Sequence, residues 1–176
     1  MVNIRLFEVL TGKSALKLGI LSDSHVNKLS DLPKKALEIL KNVDLIIHAG
    51  DFTEKTLLDE LKNLGNFEGV SGNMDPKKVR DNIPEVKILE LKGFKIGITH
   101  PLEGGAPKDL LDRVRKKFGQ IDVIIFGHSH SPINEKIDDV LFFNPGSVTG
   151  RWPAKNKTIG ILEIDKDIKG KIITLD

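Results

Sequence analysis

Four of the five histidines in this chain, with two aspartates and one asparagine, fall in five short blocks. The blocks are Asp23-Ser24-His25, Gly50-Asp51, Gly72-Asn73, Thr99-His100-Pro101 and Gly127-His128-Ser129-His130. Their carboxylate and amide oxygens and imidazole nitrogens form a donor set that suits Mn, Fe, Co, Ni or Zn and suits Mg alone poorly. There is no cysteine, which excludes thiolate sites, cysteine nucleophiles and disulfides. Residues two apart project to one side of an extended segment, so Asp23 and His25 can meet one ion, and His128 and His130 can serve neighbouring ions. Gly50 lets the backbone turn so that Asp51, with two oxygens, points into the site and can bridge a pair of ions. Two divalent ions bring four positive charges and Asp23 and Asp51 remove two. The remainder can hold a hydroxide and a singly charged phosphodiester. That balance favours phosphoryl chemistry on ions ~3.5–4 Å apart over a purely structural metal site.

The elements that must position these blocks are legible as apolar runs. Leu16 to Leu21, Leu45 to Ile47, Phe67 to Val70, Phe94 to Thr99 and Ile121 to Phe126 read as buried strands, and each ends at one of the blocks. Function in open α/β sheets usually sits beyond such carboxyl ends. Between them, Asp31 offers an N-cap with Pro33 in the first turn of a helix striped by Ala36, Leu37, Ile39 and Leu40. Thr53 can cap a helix carrying Leu57, Leu58, Leu61 and Leu64, and Gly65 is placed to end it. Pro107 to Phe118 reads as a helix, and Val86 to Leu91 forms a tight hairpin with Phe94 to Thr99 through Lys92-Gly93. The rest reads as strands, Ile133 to Ile137, Val140 to Phe143, Thr158 to Ile164 and Ile168 to Leu175, with turns at Asp138-Asp139 and Lys166-Asp167. A chain that opens βαβα and closes in hairpins implies an α/β fold of two packed sheets with helices outside. At 176 residues it suits one domain over 1–176, with 1–15 as an extension or edge strand.

Charge is nearly balanced, 27 basic against 25 acidic residues, which gives no argument for nucleic-acid binding. No apolar run approaches the ~20 residues of a membrane helix. Met1 to Lys13 has no secretory pattern, so the cytoplasm is the expected compartment. The apolar stretch Val140 to Phe143 could pair with a second copy as a homodimer.

Taken singly, each block has an ordinary explanation: Gly-Asp and Gly-Asn are common turns, and His100 before Pro101 could simply end a strand. Their order and strand-end placement carry the metal reading. His48 lies inside an apolar run and is expected to orient a ligand from behind rather than bind an ion. Asp75 is expected to fix the loop around Asn73. Thr11-Gly12-Lys13-Ser14 imitates the end of a P-loop, but the required earlier glycine is Phe7. The Lys77-Lys78 and Arg113 to Lys117 clusters read as solvated faces. Asn144-Pro145-Gly146-Ser147 follows a strand, so Ser147 could contact the site, and Arg151 could meet a substrate phosphate.

The ordered set Asp-x-His, Gly-Asp, Gly-Asn, His and Gly-His-x-His resembles the calcineurin-like metallophosphoesterases. The runs HAGD (His48 to Asp51), SGNMD (Ser71 to Asp75), THP (Thr99 to Pro101), GHSH (Gly127 to His130) and NPGS (Asn144 to Ser147) are similar to the small prokaryotic YfcE-type phosphodiesterase branch, to which the retromer subunit Vps29 is related. The resemblance covers about residues 17 to 165. It implies a two-sheet β-sandwich flanked by helices in four α-β-β-α layers. It implies Asp23, His25 and His130 on a first ion, Asn73, His100 and His128 on a second, and Asp51 between them. Two divalent ions are implied, Mn²⁺ or Ni²⁺ foremost, with Fe, Co and Zn as further candidates. The implied enzyme is a phosphoric ester hydrolase, a phosphodiesterase acting on a small phosphate ester or nucleotide through a bridging hydroxide without a covalent intermediate. Asp51, Asn73 and His100 then take the central catalytic places, and Asn73, Ser147 and Arg151 meet substrate. A phosphomonoesterase or nucleotidase with the same site, or a Vps29-like interaction scaffold, are the competing expectations. Many family members carry His after the Gly-Asn asparagine, where this chain has Met74. A thioether donates no proton. Positioned acid catalysis is worth roughly 10²–10⁴-fold, so activated or phenolic esters are the expected substrates.

Overall fold

The run Leu16–Leu21 forms β1, in which every residue except Lys17 is buried. Burial on both faces is what an interior strand of a parallel array requires, and an almost unbroken apolar sequence supplies it. The structure, a computed structural model, describes residues 13–103 and 109–175. β1 pairs in parallel with β2 (Leu45–His48), and β2 with β3 (Phe67–Gly69). On its other side β1 pairs antiparallel with β9 (Lys157–Ile164), which is antiparallel to β10 (Ile168–Leu175).

The second sheet has the order β4 (Val86–Leu91), β5 (Phe94–Thr99), β6 (Val123–Phe126), β8 (Val140–Asn144), β7 (Ile133–Ile137). Here β5, β6 and β8 are parallel neighbours and the two outer strands are antiparallel to theirs. The β4–β5 and β7–β8 hairpins turn on Lys92-Gly93 and Asp138-Asp139, all four at positive φ. That backbone matches the right-handed twist of the paired strands.

Between the sheets lies a core that includes Leu18, Ile20, Leu45, Ile47, Ile96, Ile98, Val123 and Ile125. Each such side chain contributes ~1.5–3 kcal/mol by leaving water. The helices α1 (Lys34–Leu40), α2 (Lys55–Leu64) and α3 (Lys77–Arg80) cover the outer face of the first sheet. Ala36, Leu40, Leu57, Leu58, Leu61 and Val79 pack there against Leu21 and Ile46. The helix α4 (Leu110–Arg115) covers the second, with Leu110 and Val114 against Ile124, Phe126 and Phe142. The result is the expected α-β-β-α stack. No helix among the described residues is long and apolar enough to cross a membrane.

Several local expectations need correction. Asp31 does not cap α1: it ends a short 3-10 turn (Leu29–Asp31), and Pro33 stands at the cap without a side-chain bond. Thr53 does not cap α2, whose N-cap is Glu54; Thr53 instead has φ 72 and gives its N–H to Asp75 at 2.8 Å. Gly65 ends α2 in extended, not left-handed, backbone. The expected start of the fourth helix at Pro107 lies outside the described residues, as do residues 1–12 of the expected N-terminal extension. β8 offers no edge to a second copy, because it is paired on both sides and Val140, Phe142 and Phe143 are buried.

Candidate metal centre

The blocks stand at the carboxyl ends of β1, β2, β3, β5 and β6. The first sheet therefore delivers Asp23, His25, Asp51 and Asn73, and the second delivers His100, His128 and His130. Asp23, Asp51 and His100 are buried, while His25, Asn73, His128 and His130 are half-buried above them. The arrangement is a cup with carboxylates in its floor and rings around its wall.

All seven candidate residues come together. His130 Nε2 lies 3.1 Å from Asp23 Oδ1. His25 Nε2 and His100 Nε2 each lie 3.6 Å from Asp51 Oδ2, so that oxygen is equidistant from the two rings. Asn73 Oδ1 stands 3.1 Å from both His100 Nε2 and His128 Nδ1. Asp23, His25 and His130 form one set whose ligand atoms lie within 4.8 Å of one another, and Asp23, Asp51 and His100 form a second. Asp23 thus belongs to both sets, a sharing that the resemblance gave only to Asp51.

Hydrogen bonds behind the rings fix which nitrogens face the cup. His100 Nδ1 meets the Ala49 carbonyl at 2.7 Å, and His130 Nδ1 meets the carbonyls of Arg151 and Trp152 at 2.9 and 3.1 Å. A carbonyl only accepts, so both Nδ1 atoms carry a proton and both Nε2 atoms face the cup. There they meet oxygens: His100 Nε2 meets Asn73 Oδ1, and His130 Nε2 meets the Asp23 carboxylate, which favours the protonated ring. His25 Nε2 is buried without any hydrogen-bond partner. Carboxylates and rings gathered around a buried, unpartnered imidazole nitrogen make a place for cations, and the residues present fit divalent ions.

Electrostatics agree. Burial pushes Asp51 up to about 6 against the pull of His100 and the Met74 N–H, which donates to Asp51 Oδ1 at 2.8 Å. Burial also pushes Asp23 up, but His130, His100 and the Ser22 hydroxyl outweigh it and its pKa is lowered. Burial lowers His25 to about 4 and lowers His128, so both rings are neutral donors at pH 7. For His130 burial acts downward, but the Asp23 carboxylate overcomes it and the pKa is raised.

The backbone carries strain where these side chains leave it. Asp23, His25, Asp51, His128 and His130 all have positive φ, between 47° and 82°. Such values are uncommon outside glycine and cluster at functional sites. The expectation that Asp-x-His and His-x-His are extended is therefore wrong; alternate left-handed residues, not a flat strand, aim both members inward. Gly50 has φ 96, and a Cβ there would lie 2.4 Å from His100 Nδ1. Gly72 has no such φ, but a Cβ there would lie 2.1 Å from Asp51 Oδ1, so it serves close approach and not a sharp turn.

Other polar residues hold the cup from behind. His48 Nδ1 accepts the Gly50 N–H at 3.2 Å, its Nε2–H meets Ser24 Oγ at 2.9 Å, and that hydroxyl donates to the Asp51 carbonyl at 3.2 Å. Ser147 Oγ donates to the Asp23 carbonyl at 2.8 Å and accepts the Arg151 N–H at 3.0 Å, so its hydroxyl braces the Asp23 backbone. The Arg151 guanidinium stands close enough to His25 to disfavour its protonation. Sequence reasoning missed Ser22, Ser24 and Thr149, whose hydroxyl donates to the Ser24 carbonyl at 2.8 Å. The two serines flanking Asp23 were a signal; nothing local marks Thr149.

A profile of the calcineurin-like phosphoesterase superfamily domain matches residues 16–167. The chain is 38% identical over 166 residues, 90% of this chain and 81% of the relative, to a probable metallophosphoesterase of Methanocaldococcus jannaschii. It is 35% identical over 165 residues, 86% of this chain and 95% of the relative, to a phosphodiesterase of the same organism. Among solved structures, vacuolar protein sorting 29 from Cryptosporidium parvum superposes with a TM-score of 0.75, covering 92% of this chain and 97% of that one, at 19% identity. That last likeness speaks for the fold alone. With the site geometry, these matches lead to one assignment: the chain belongs to the calcineurin-like phosphoesterase superfamily.

Proposed function

We propose that this protein is a phosphodiesterase that works with two divalent cations, Mn²⁺ or Ni²⁺ foremost. Asp23, His25 and His130 would hold one cation, Asn73, His100 and His128 the other, with Asp51 between them. The observation that carries this reading is the convergence of these side chains on one cup: His25 Nε2 is buried there without a partner, and His130 Nε2 and His100 Nε2 stand 3.1 Å from Asp23 Oδ1 and Asn73 Oδ1 respectively. When bound, such a pair supplies charge neutralisation for a phosphate and water acidified toward neutral pH.

The chain's own residues do the rest. Carbonyls behind His100 and His130 keep their Nε2 atoms turned inward. The Met74 N–H fixes Asp51. The hydroxyls of Ser22, Ser24, Ser147 and Thr149 each donate to a carboxylate or carbonyl, so they brace ligands and are not offered as nucleophiles. That supports direct attack by water without a covalent enzyme intermediate. Arg151, exposed beside His25, is placed to meet a phosphate oxygen. Met74, 55% exposed, offers no proton to a departing alkoxide, which favours esters whose leaving group needs none.

The test is hydrolysis of bis-p-nitrophenyl phosphate by metal-stripped protein reloaded with Mn²⁺ or Ni²⁺. Turnover with either ion, and a kcat/KM above that on p-nitrophenyl phosphate, is expected. A higher value on the monoester would make the protein a phosphomonoesterase; inactivity of folded, loaded protein on both would end the enzymatic reading.

A further inference from the structure

Five large apolar side chains stand exposed among the described residues: Met74, Val86, Ile88, Ile137 and Trp152. Val86, Ile88 and Ile137 lie on strands. The two in loops both adjoin the cup. Met74 follows Asn73, and Trp152, at 86% exposure, is the most open of all. An indole left in water leaves a large apolar area free for contact.

The loop bearing Trp152 is firmly seated. The Val148 N–H donates to the Ser22 carbonyl at 3.2 Å, Ser147 Oγ to the Asp23 carbonyl at 2.8 Å, and Thr149 Oγ1 to the Ser24 carbonyl at 2.8 Å. The Trp152 carbonyl takes the His130 Nδ1–H at 3.1 Å, and the Ala154 N–H closes a turn on the Arg151 carbonyl at 2.9 Å. From the carbonyl bond lengths, the Trp152 Cα lies within about 6 Å of that ring nitrogen. One rigid segment thus braces Asp23, brings Arg151 to His25 and grips His130, and on the same segment it carries an uncovered indole. A cation and an indole on consecutive residues at the rim of the cup suit a substrate with an anionic centre and a flat apolar group a few bonds away.

We infer that Trp152 is a specificity-determining residue that stacks on a planar aromatic group of the phosphate ester, an aryl ring or a nucleobase, while the phosphate sits in the cup. The inference rests on the phosphoesterase reading above and narrows its substrate class. Trp152 meets the organic arm from the side of Asp23, His25 and His130. Met74 borders the other side.

The chain has one tryptophan and no tyrosine, so indole emission reports on Trp152 alone. Manganese-loaded protein is titrated with adenosine monophosphate, phenyl phosphate and ribose 5-phosphate. Saturable quenching by both aromatic esters, or by the nucleotide alone, supports stacking, and the difference tells an aryl site from a nucleobase site. Emission unchanged by either, or changed equally by ribose 5-phosphate, overturns the inference. In parallel, Trp152→Ala should raise KM for bis-p-nitrophenyl phosphate about tenfold, with the loss in KM rather than kcat, and Trp152→Phe should recover most of it. A fall confined to kcat, or equal effects in both variants, would show that Trp152 only supports His130. Should wild-type protein hydrolyse nothing, the proposed activity fails by itself, and the fluorescence titration still decides the stacking.

Discussion

Asp75 takes the backbone N–H of Asp51 on its Oδ2 at 3.1 Å, although the two residues are 24 positions apart. The same oxygen accepts from Gly72 at 2.8 Å, and Oδ1 accepts from Thr53 at 2.8 Å. One buried carboxylate therefore ties the loop after β2 to the loop after β3. Asp75→Ala leaves three N–H groups without their acceptor, and each unsatisfied donor costs about 1–3 kcal/mol. A stability loss of about 3 kcal/mol or more is expected in urea unfolding. Asp75→Asn, which keeps one acceptor oxygen, should lose less.

Asp51 Oδ2 is equidistant from His25 Nε2 and His100 Nε2, at 3.6 Å. Asp51→Asn removes a charge and one acceptor from the centre of the cup. Hydrolysis should fall at least about a hundredfold, more than is typical for losing a residue that merely supports a ligand. Steady-state rates at saturating Mn²⁺, together with metal content by elemental analysis, check this.

His48 makes acid stability predictable. Burial lowers its pKa to about 3, against about 6.5 in an unfolded chain. Between those values the unfolded chain holds a proton that the folded one refuses. The stability is complete above about pH 6.5 and is lost as pH falls toward 3. From pH 6.5 to 5 the His48 contribution amounts to about 2 kcal/mol. His48→Gln should be less stable at pH 7, yet lose less between pH 7 and 5, as measured by chemical unfolding at each pH.

Gly50→Ala combines left-handed strain with a Cβ pressed onto the His100 ring. The strain alone costs about 1–3 kcal/mol, and the ring must also move off the Ala49 carbonyl. The variant should fold with a lower Tm and bind Mn²⁺ more weakly in a calorimetric titration.

The framework was legible because its signals are local. Val123–Phe126 is apolar along its length and Leu16–Leu21 is so apart from Lys17, and strands buried on both faces ask for that. Asp23, Asp51, Asn73, His100 and His128 each sit just past such a run, so the end of the strand named the site. What stayed hidden depends on contacts between distant segments. Asp31 and Thr53 have the right side chains for capping, yet Thr53 is drawn into the Asp75 network and Asp31 into a 3-10 turn. The left-handed φ of His128 and His130 has no sequence mark, since neither is glycine. Ser147 was visible as a polar residue after a strand, but only packing shows its hydroxyl turned to the Asp23 backbone.

Four of the candidate donors hang from one sheet and three from the other. Each of the two candidate ligand groups draws on both layers, so a bound ion would act as a clasp fastened across the open lip of a sandwich. A bound ion would then oppose separation of the layers at that lip. A chelator should then lower Tm as well as stop turnover, and Mn²⁺ at a hundred times its Kd should return about 2.7 kcal/mol to the whole fold.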